Sequence, residues 1–427
     1  MPTSTPIAHA SPEHLAREPR VAAALSWLRA HEEETLAEQI AFCEVPAPPF
    51  NEQARGAHLI SRLKAEGVTE VRQDSEGNVI ARLSSQEDWP LVVVAAHLDS
   101  VFPAEVQPKV QRSGSILRAP GIGDNARGLA SMLMLARVLR EVGVRPRLPL
   151  VLVGTVGEEG AGNLRGVRHL LAHEIAPEQI GAFLVVDGLH ASYVTASGQG
   201  VIRERVTCRG PGGHSYVHFG RANPIYALGR ALAEIATLAS RLIPAPGMPG
   251  TAQAPAATCS VTRMGGGTSI NALPEEAWFE IDLRAADAQK LAEIHRAYRV
   301  AVERAVRSEQ GRSAFDPPDA AQKLSLTFTA LGERPAGRMP ADAPLVRAAL
   351  AAARYVANEA HLGEPASCDV NIPLSLGVPG VVIGGGGSGG DTHALSEWYD
   401  ATNSFQGPQL LLLLSLMIAG LAESNNT

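Results

Sequence analysis

The chain has 427 residues, 45% of them hydrophobic and 19% charged, with a net charge of −7. That composition excludes a disordered chain and leaves length for two domains with sizeable cores. The acidic balance, with no basic run, argues against nucleic acid as a partner. The four cysteines are scattered without a CxxC pair. Reduced, buried thiols in the cytoplasm are therefore expected. The N-terminus shows no basic region followed by an apolar stretch, so no secretory signal is read. The most apolar segment, residues 410–421, is too short to span a bilayer and reads as a core helix. No membrane partner is expected.

In chain order, residues 18–43 carry helical periodicity through Val21, Leu25, Leu28, Leu36, Ile40 and Phe42. Prolines 46, 48 and 49 end that run. Asn51 then stands where a cap belongs, before a helix through Leu63 that Gly67 closes. Strands are predicted over 69–73 and 79–83, around a turn at 75–78. The next stretch, LVVVAAHLDS over 91–100, reads as a buried parallel strand. His97 and Asp99 project from one face at its carboxyl end, where α/β sheets form their crevices. They suit a metal ligand and the group that orients it.

A polar loop or hairpin over 102–120 leads to GIGDNARG and an apolar helix over 129–139. The glycine spacing matches neither GxGxxG nor a P-loop. Asp124 there reads as a helix cap or a metal ligand. Residues 148–155 form a second buried strand, ending at Glu158 and Glu159; 182–186 form a third, ending at Asp187. Adjacent buried carboxylates repel each other, and a cation relieves that cost. A solvated acidic turn is the plainer alternative. Three apolar strands that each deliver an acid or imidazole at the same end point to a built site.

From about residue 198 the order becomes strand 201–208, helix 224–242, strand 258–264, strand 277–283, helix 288–306, strand 324–330. This β-α-β-β-α-β order is that of a ferredoxin-like insert. The proline-rich stretch 244–255 reads as a loop within it. A helix over 345–356 and a short strand over 378–383 follow, then a glycine run over 384–390 and Asp391-Thr392-His393. The run permits close backbone approach to a ligand, or is simply a flexible loop. Taken together, His97, Asp124, Glu159, Asp187 and His393 are donors that suit zinc, cobalt or manganese. Glu158, beside a donor, is placed as a general base toward an activated water. No GxSxG elbow supports a serine hydrolase.

The stretches HLDSVFP, GIGDNARG, GTVGEEGAGNLRG, LVVDG, PGGHS, SINALPEEAWFEIDLR and GGDTHALSEW occur in that order from His97 to Trp398. In this the chain resembles the co-catalytic zinc exopeptidase and amidohydrolase family of tripeptide aminopeptidase, glutamate carboxypeptidase, acetylornithine deacetylase and succinyl-diaminopimelate desuccinylase. The GEEG and HLDSVFP forms and the glycine run look most like the tripeptide-aminopeptidase branch. The resemblance implies an α/β catalytic domain with a mostly parallel central sheet, residues 1–197 and 333–427. A ferredoxin-like lid, residues 198–332, interrupts it and pairs two subunits as a homodimer.

The resemblance also implies two divalent ions per subunit, zinc before cobalt or manganese. Asp124 would bridge them, His97 and Asp187 completing one site, Glu159 and His393 the other. Asp99 would hold the His97 ring, Glu158 would act as general base and acid, and the Asp124–Asn125 peptide would be cis. His214 would stabilise an oxyanion, in its own subunit's site or across in the partner's, and Asn271 and Arg284 would contact substrate. Arg284 could equally be an ordinary lid ion pair. The substrate would be a small peptide or an N-acyl amino acid. Carboxypeptidase and N-acyl amino acid deacylase remain as alternative activities. A non-catalytic binding relative would lose ligands or Glu158, and this chain keeps them. One departure is Ser-Cys-Asp-Val-Asn at 367–371, where relatives often carry Ser-Thr-Asp-Ala-Asn. His169, His173, His218 and the N-terminal histidines read as surface or packing residues.

Overall fold

The computed structural model describes residues 10–83, 90–243, 256–314 and 323–422. The proline-rich loop expected over 244–255 lies outside them. The chain divides into two compact units, residues 1–198 with 338–427, and residues 199–337.

After a single helical turn at Pro12–Leu15, the first unit continues with helices α1 (Pro19–Ala30) and α2 (Glu32–Cys43). The periodicity of 18–43 predicts one helix; the structure has two, broken at His31. The His31 ring stacks on Trp27, and its Nδ1 lies 2.8 Å from the Trp27 carbonyl. Three glutamates at 32–34 then favour a new helix N-terminus. Helix α3 (Gln53–Ala65) begins after Glu52, not after Asn51 as the cap pattern predicts. Glu52 is already engaged, since its Oε1 accepts the Phe50 and Gly157 N–H groups.

Strands β1 (Glu70–Gln73), β2 (Val79–Arg82) and β3 (Leu91–His97) follow, then helix α4 (Ala126–Val142), β4 (Leu150–Thr155) and β5 (Ile180–Val186). The second unit supplies β6 (Gly200–Arg209), α5 (Pro224–Ser240), β7 (Ala257–Gly266), β8 (Glu276–Ala285), α6 (Ala288–Gln310) and β9 (Ser325–Arg334). The chain returns to the first unit with α7 (Pro344–Ala357), β10 (Gly380–Ile383) and α8 (Gln406–Ala419).

The main sheet runs β1-β2-β4-β3-β5-β10, continued by Tyr193–Thr195 and His361–Leu362. Its central strands β4, β3, β5 and β10 are parallel. Every residue of β3 is buried, and its side chains divide by alternation between two cores. Val92, Val94 and Ala96 join one core, with α4 and α8; Leu91, Val93 and Ala95 join the other. A strand covered on both faces must be apolar throughout, as the LVVVAA run is. Each fully buried valine contributes about 1.5–3 kcal/mol. Helix α8 packs on α7 and α4, and its run Leu410–Leu414 is buried on all sides. Among the described residues no helix is long and apolar enough to cross a membrane. All four cysteines are free and buried.

Register decides where the acids go. His97 pairs with Thr155, and Ala95 with Val185. The ends of β3, β4 and β5 are therefore level, and the loops bearing 97–99, 157–159 and 187 leave the sheet side by side.

The second unit is a four-stranded antiparallel sheet in the order β7-β8-β6-β9, with α5 and α6 on one face. This is the arrangement the β-α-β-β-α-β pattern predicts. In β8, Ala277, Phe279, Ile281, Leu283 and Ala285 face the core while the alternate residues are more exposed. The other face carries ion pairs, including Arg203–Asp282 at 2.9 Å and Arg209–Glu276 at 2.7 Å.

Candidate metal centre

The side chains at the level strand ends converge on Asp124. His97, 2% exposed, lies with Nε2 2.9 Å from Asp124 Oδ1 and 4.0 Å from Asp187 Oδ1. His393 places Nε2 3.0 Å from Asp124 Oδ2 and 3.1 Å from Glu159 Oε1. The two oxygens of one carboxylate thus face two different donor sets, His97 with Asp187 and His393 with Glu159. The peptide between Asp124 and Asn125 is cis.

The charges on these groups are strongly coupled. Burial opposes a charge on His97, but hydrogen bonds to Asp124 and Asp99 outweigh it and hold the imidazole well above its ordinary range. Hydrogen bonds to Asp124 and Glu159 raise His393 to about 10. Burial opposes the ionised form of Asp124, yet the two imidazoles hold its carboxyl low. Asp187 is pushed up to about 7, by burial first and by the Asp124 charge second. Its nearest imidazole nitrogen is 4.0 Å away. A buried carboxylate raised in this way is relieved by a cation among these oxygens. The ligand atoms of His97, Asp124 and Glu159 lie within 4.8 Å of one another. Imidazole nitrogen and carboxylate oxygen are the donors zinc and its neighbours accept. The donor set therefore fits divalent metal.

Hydrogen bonds from side chains to backbone tie the donor-bearing segments together. Asp99 accepts the Glu158 N–H at 3.0 Å and the Glu159 N–H at 2.7 Å. The expected hold on the His97 ring comes mainly from the Asp99 backbone, since Nδ1 lies 3.0 Å from that carbonyl and 3.6 Å from Oδ1. Asn125 donates to the Val186 carbonyl at 2.9 Å and accepts the Gly128 N–H at 3.0 Å. Gly128 is glycine for this reason: a Cβ there would lie 2.5 Å from the Val186 carbonyl oxygen. Gly157, at φ +64°, turns the chain into Glu158, and a Cβ there would strike Arg165. Arg165 is itself gripped by Glu52 at 2.7 and 2.8 Å. Glu158 and Glu159 are both buried on this turn.

Sequence reasoning missed several supporting residues. Arg55, fully buried in α3, donates to the Leu98 carbonyl at 2.8 Å and braces the strand end. Glu397 accepts the N–H groups of Gly121, Gly123 and Asp124. Asp369, in the departing SCDVN stretch, accepts a hydrogen bond from Thr155 Oγ1. Arg55 and Glu397 had no local signal, because their partners lie in other segments. Cys368 is raised well above the ordinary thiol range, by burial first and then by the charges of Asp187 and Glu158.

The remaining sequence candidates belong to the second unit. Gly213–His214 pairs with Ala272–Leu273, which brings His214 beside Asn271. Asn271 accepts the Ser215 N–H on its carbonyl at 3.0 Å. His214 Nδ1 accepts the Tyr216 N–H at 3.2 Å, which leaves the ring proton on Nε2. His218 packs into the same turn, where its Nδ1 accepts the His214 N–H at 2.9 Å. Arg284 stands apart. It lies toward the opposite end of β8 from this turn, and its Nε donates to Asp282 Oδ1 at 2.8 Å.

Another histidine–carboxylate group comprises Asp74, His169 and Glu174. Its carboxylates are already engaged. Asp74 Oδ1 accepts the N–H groups of Glu76, Gly77 and Asn78, and Glu174 pairs with Arg72 at 2.6 Å.

Comparison with known proteins places this geometry. A probable carboxypeptidase of Talaromyces marneffei is 24% identical over 238 residues, 52% of each chain, so about half the length of that curated relative is matched. The aminopeptidase PepT of Bacillus cereus ATCC 10987 superposes with a TM-score of 0.71 at 18% identity, covering 91% of this chain and 99% of its own. The YXEP protein of Bacillus subtilis, described as a dinuclear metal binding peptidase from the M20 family, gives 0.67 at 17% identity over 92% and 100%. These likenesses show the fold, a mostly parallel α/β sheet with a separate second unit. The model of peptidase family M20/M25/M40 matches residues 93–415, which span the whole site, and the chain belongs to that family.

Proposed function

We propose that the protein is a hydrolase dependent on two divalent cations that cleaves an amide bond in small peptides, an exopeptidase of tripeptide-aminopeptidase type. The observation that carries the metal reading is the division of Asp124, with one oxygen toward His97 and Asp187 and the other toward His393 and Glu159. In this reading His97, Asp124 and Asp187 hold one ion, and Asp124, Glu159 and His393 the other, with zinc preferred over cobalt or manganese. When bound, such a pair supplies Lewis-acid polarisation of a carbonyl and acidifies a water.

The chain's own residues do the rest. Glu158, buried beside Glu159, takes the water's proton and returns it to the leaving amine. Asp99 holds the backbone of both glutamates and, through its carbonyl, the His97 ring. His214 offers an Nε2–H donor to the developing oxyanion. Asn271 and Arg284 contact the substrate, and Arg284 exchanges Asp282 for a substrate carboxylate.

The first unit, residues 1–198 and 338–427, is the catalytic domain, and the second, 199–337, is the lid through which two chains pair. Support for pairing comes from strand length. The His214 turn and Arg284 are separated by about 26 Å along β8, at ~3.3 Å per residue, too far for one insert to offer both to a small peptide. Exposed apolar side chains flank the turn, Tyr216, Val217 and Phe219 among them. Four buried free thiols support a cytoplasmic setting.

The aminopeptidase reading draws on the GEEG and glycine-run motifs and on the likeness to PepT. A carboxypeptidase is the second reading, favoured by the curated relative. Hydrolysis of tripeptides, dipeptides and N-acyl amino acids after loading with zinc, cobalt or manganese tests both. An aminopeptidase should lose activity when the peptide's amino group is acetylated and keep part of it when the carboxylate that Arg284 would grip is amidated. The reverse pattern would establish the carboxypeptidase or deacylase. Metal-free protein with full activity would sink the mechanism.

A further inference from the structure

Glu397 is 2% exposed, and its carboxylate meets backbone donors. Oε1 accepts the Gly123 N–H at 2.9 Å and the Asp124 N–H at 3.2 Å, and Oε2 accepts the Gly121 N–H at 2.9 Å. Its own carbonyl accepts the Ala119 N–H at 3.2 Å. The carboxylate therefore grips the loop that presents Asp124. Gly123 leaves room for the grip, because a Cβ there would lie 3.2 Å from Glu397 Oε1.

Glu397 also belongs to the segment that presents His393. That segment is a tight turn, with Ala394 N–H donating to Asp391 and Glu397 N–H to Ala394. One side chain thus joins two loops far apart in sequence whose own side chains meet at His393 Nε2–Asp124 Oδ2, 3.0 Å. Asp99 does the same for the loops of His97 and Glu159, and Asn125 for those of Asp124 and Asp187. Glu397 closes the ring on the side of His393. An apolar residue there would leave three buried N–H groups without acceptors, and the loop would shift to find others.

We propose that Glu397 is a positioning residue that fixes Asp124 against His393, and that divalent-ion affinity on the His393–Glu159 side depends on it. The inference rests on the two-ion reading above. Zinc titration of metal-free wild type and Glu397→Gln against a competing chelator separates the two. Wild type should bind two ions. In Glu397→Gln one of the two ions should bind about 10- to 100-fold more weakly, as for other groups that orient ligands from outside the donor set. Amide exchange over residues 121–124 should accelerate, and KM at saturating zinc should stay within about twofold. Gly123→Ala keeps the carboxylate but crowds it, and should move both readouts the same way by less; it serves if Glu397→Gln fails to fold. A role confined to folding would instead lower the melting temperature of the metal-free protein and leave both affinities alone, which would overturn the inference. Two ions bound equally well by wild type and variants would overturn it too. A wild type that binds no divalent ion would overturn the two-ion reading and this inference with it.

Discussion

At the carboxyl ends of the parallel strands, His97 is buried, Asp124 is contacted by two imidazoles, and Glu158 and Glu159 sit on a turn held by Asp99. The His214 turn of the second unit is built the opposite way. Tyr216 is 86% exposed and Phe219 79%, and the candidate donor is held by its close neighbours in the turn, Tyr216, Val217 and His218. The first region is held by hydrogen bonds among its own segments. The second has a defined tautomer and is flanked by exposed side chains. The contrast separates two tasks: metal binding should need only the first region, whereas turnover should need both.

The largest effect should come from Glu158→Gln, which should keep metal content but lower kcat by about 10²–10⁴-fold. Glu159→Gln should instead lower metal occupancy. Metal analysis beside turnover separates the two, and near-normal kcat in Glu158→Gln would mean the roles are misassigned.

His214→Ala should lower kcat by about 10²–10³-fold, as for other oxyanion donors, with metal content unchanged. Mixing His214→Ala with Glu158→Gln chains sharpens the contrast. If His214 acts across subunits, mixed dimers regain one intact site and some activity returns. If it acts within its own chain, activity stays near zero. An active monomer would rule out the cross-subunit version.

A smaller effect should appear in pH dependence. Between the first unit's helices, burial opposes the charge on Glu38, but hydrogen bonds from Arg62 and Arg137 outweigh it and hold the carboxyl below its ordinary 4.5. A carboxyl depressed by folding stabilises the fold above its unfolded pKa, and that stability fades as pH falls through the lower folded value. Wild type should therefore melt higher than Glu38→Gln at pH 7, with the two curves converging as the pH drops below about 4. A gap that persists in acid would mean the loss is one of packing.

Much of this arrangement was legible in the chain itself. Short valine-rich runs such as LVVVAA read as strands covered on both faces, and a polar residue that ends one lies at the strand's carboxyl end, where His97 and the loops of Glu158, Glu159 and Asp187 are found. Period-two alternation exposed β8 in the same way, and the motif order pointed to the family. Tertiary structure alone decided the rest. The break at His31 depends on a ring stacked on Trp27. The hold on His97 comes mainly from a backbone carbonyl, which no residue name records. Glu397 grips glycines far upstream in the chain. Arg284, a candidate for substrate, is engaged by Asp282. Periodicity reports which face of an element is buried, because burial acts on whole side chains at fixed spacing. Which lone pair meets which proton depends on rotamers and on segments that meet only after the chain has folded.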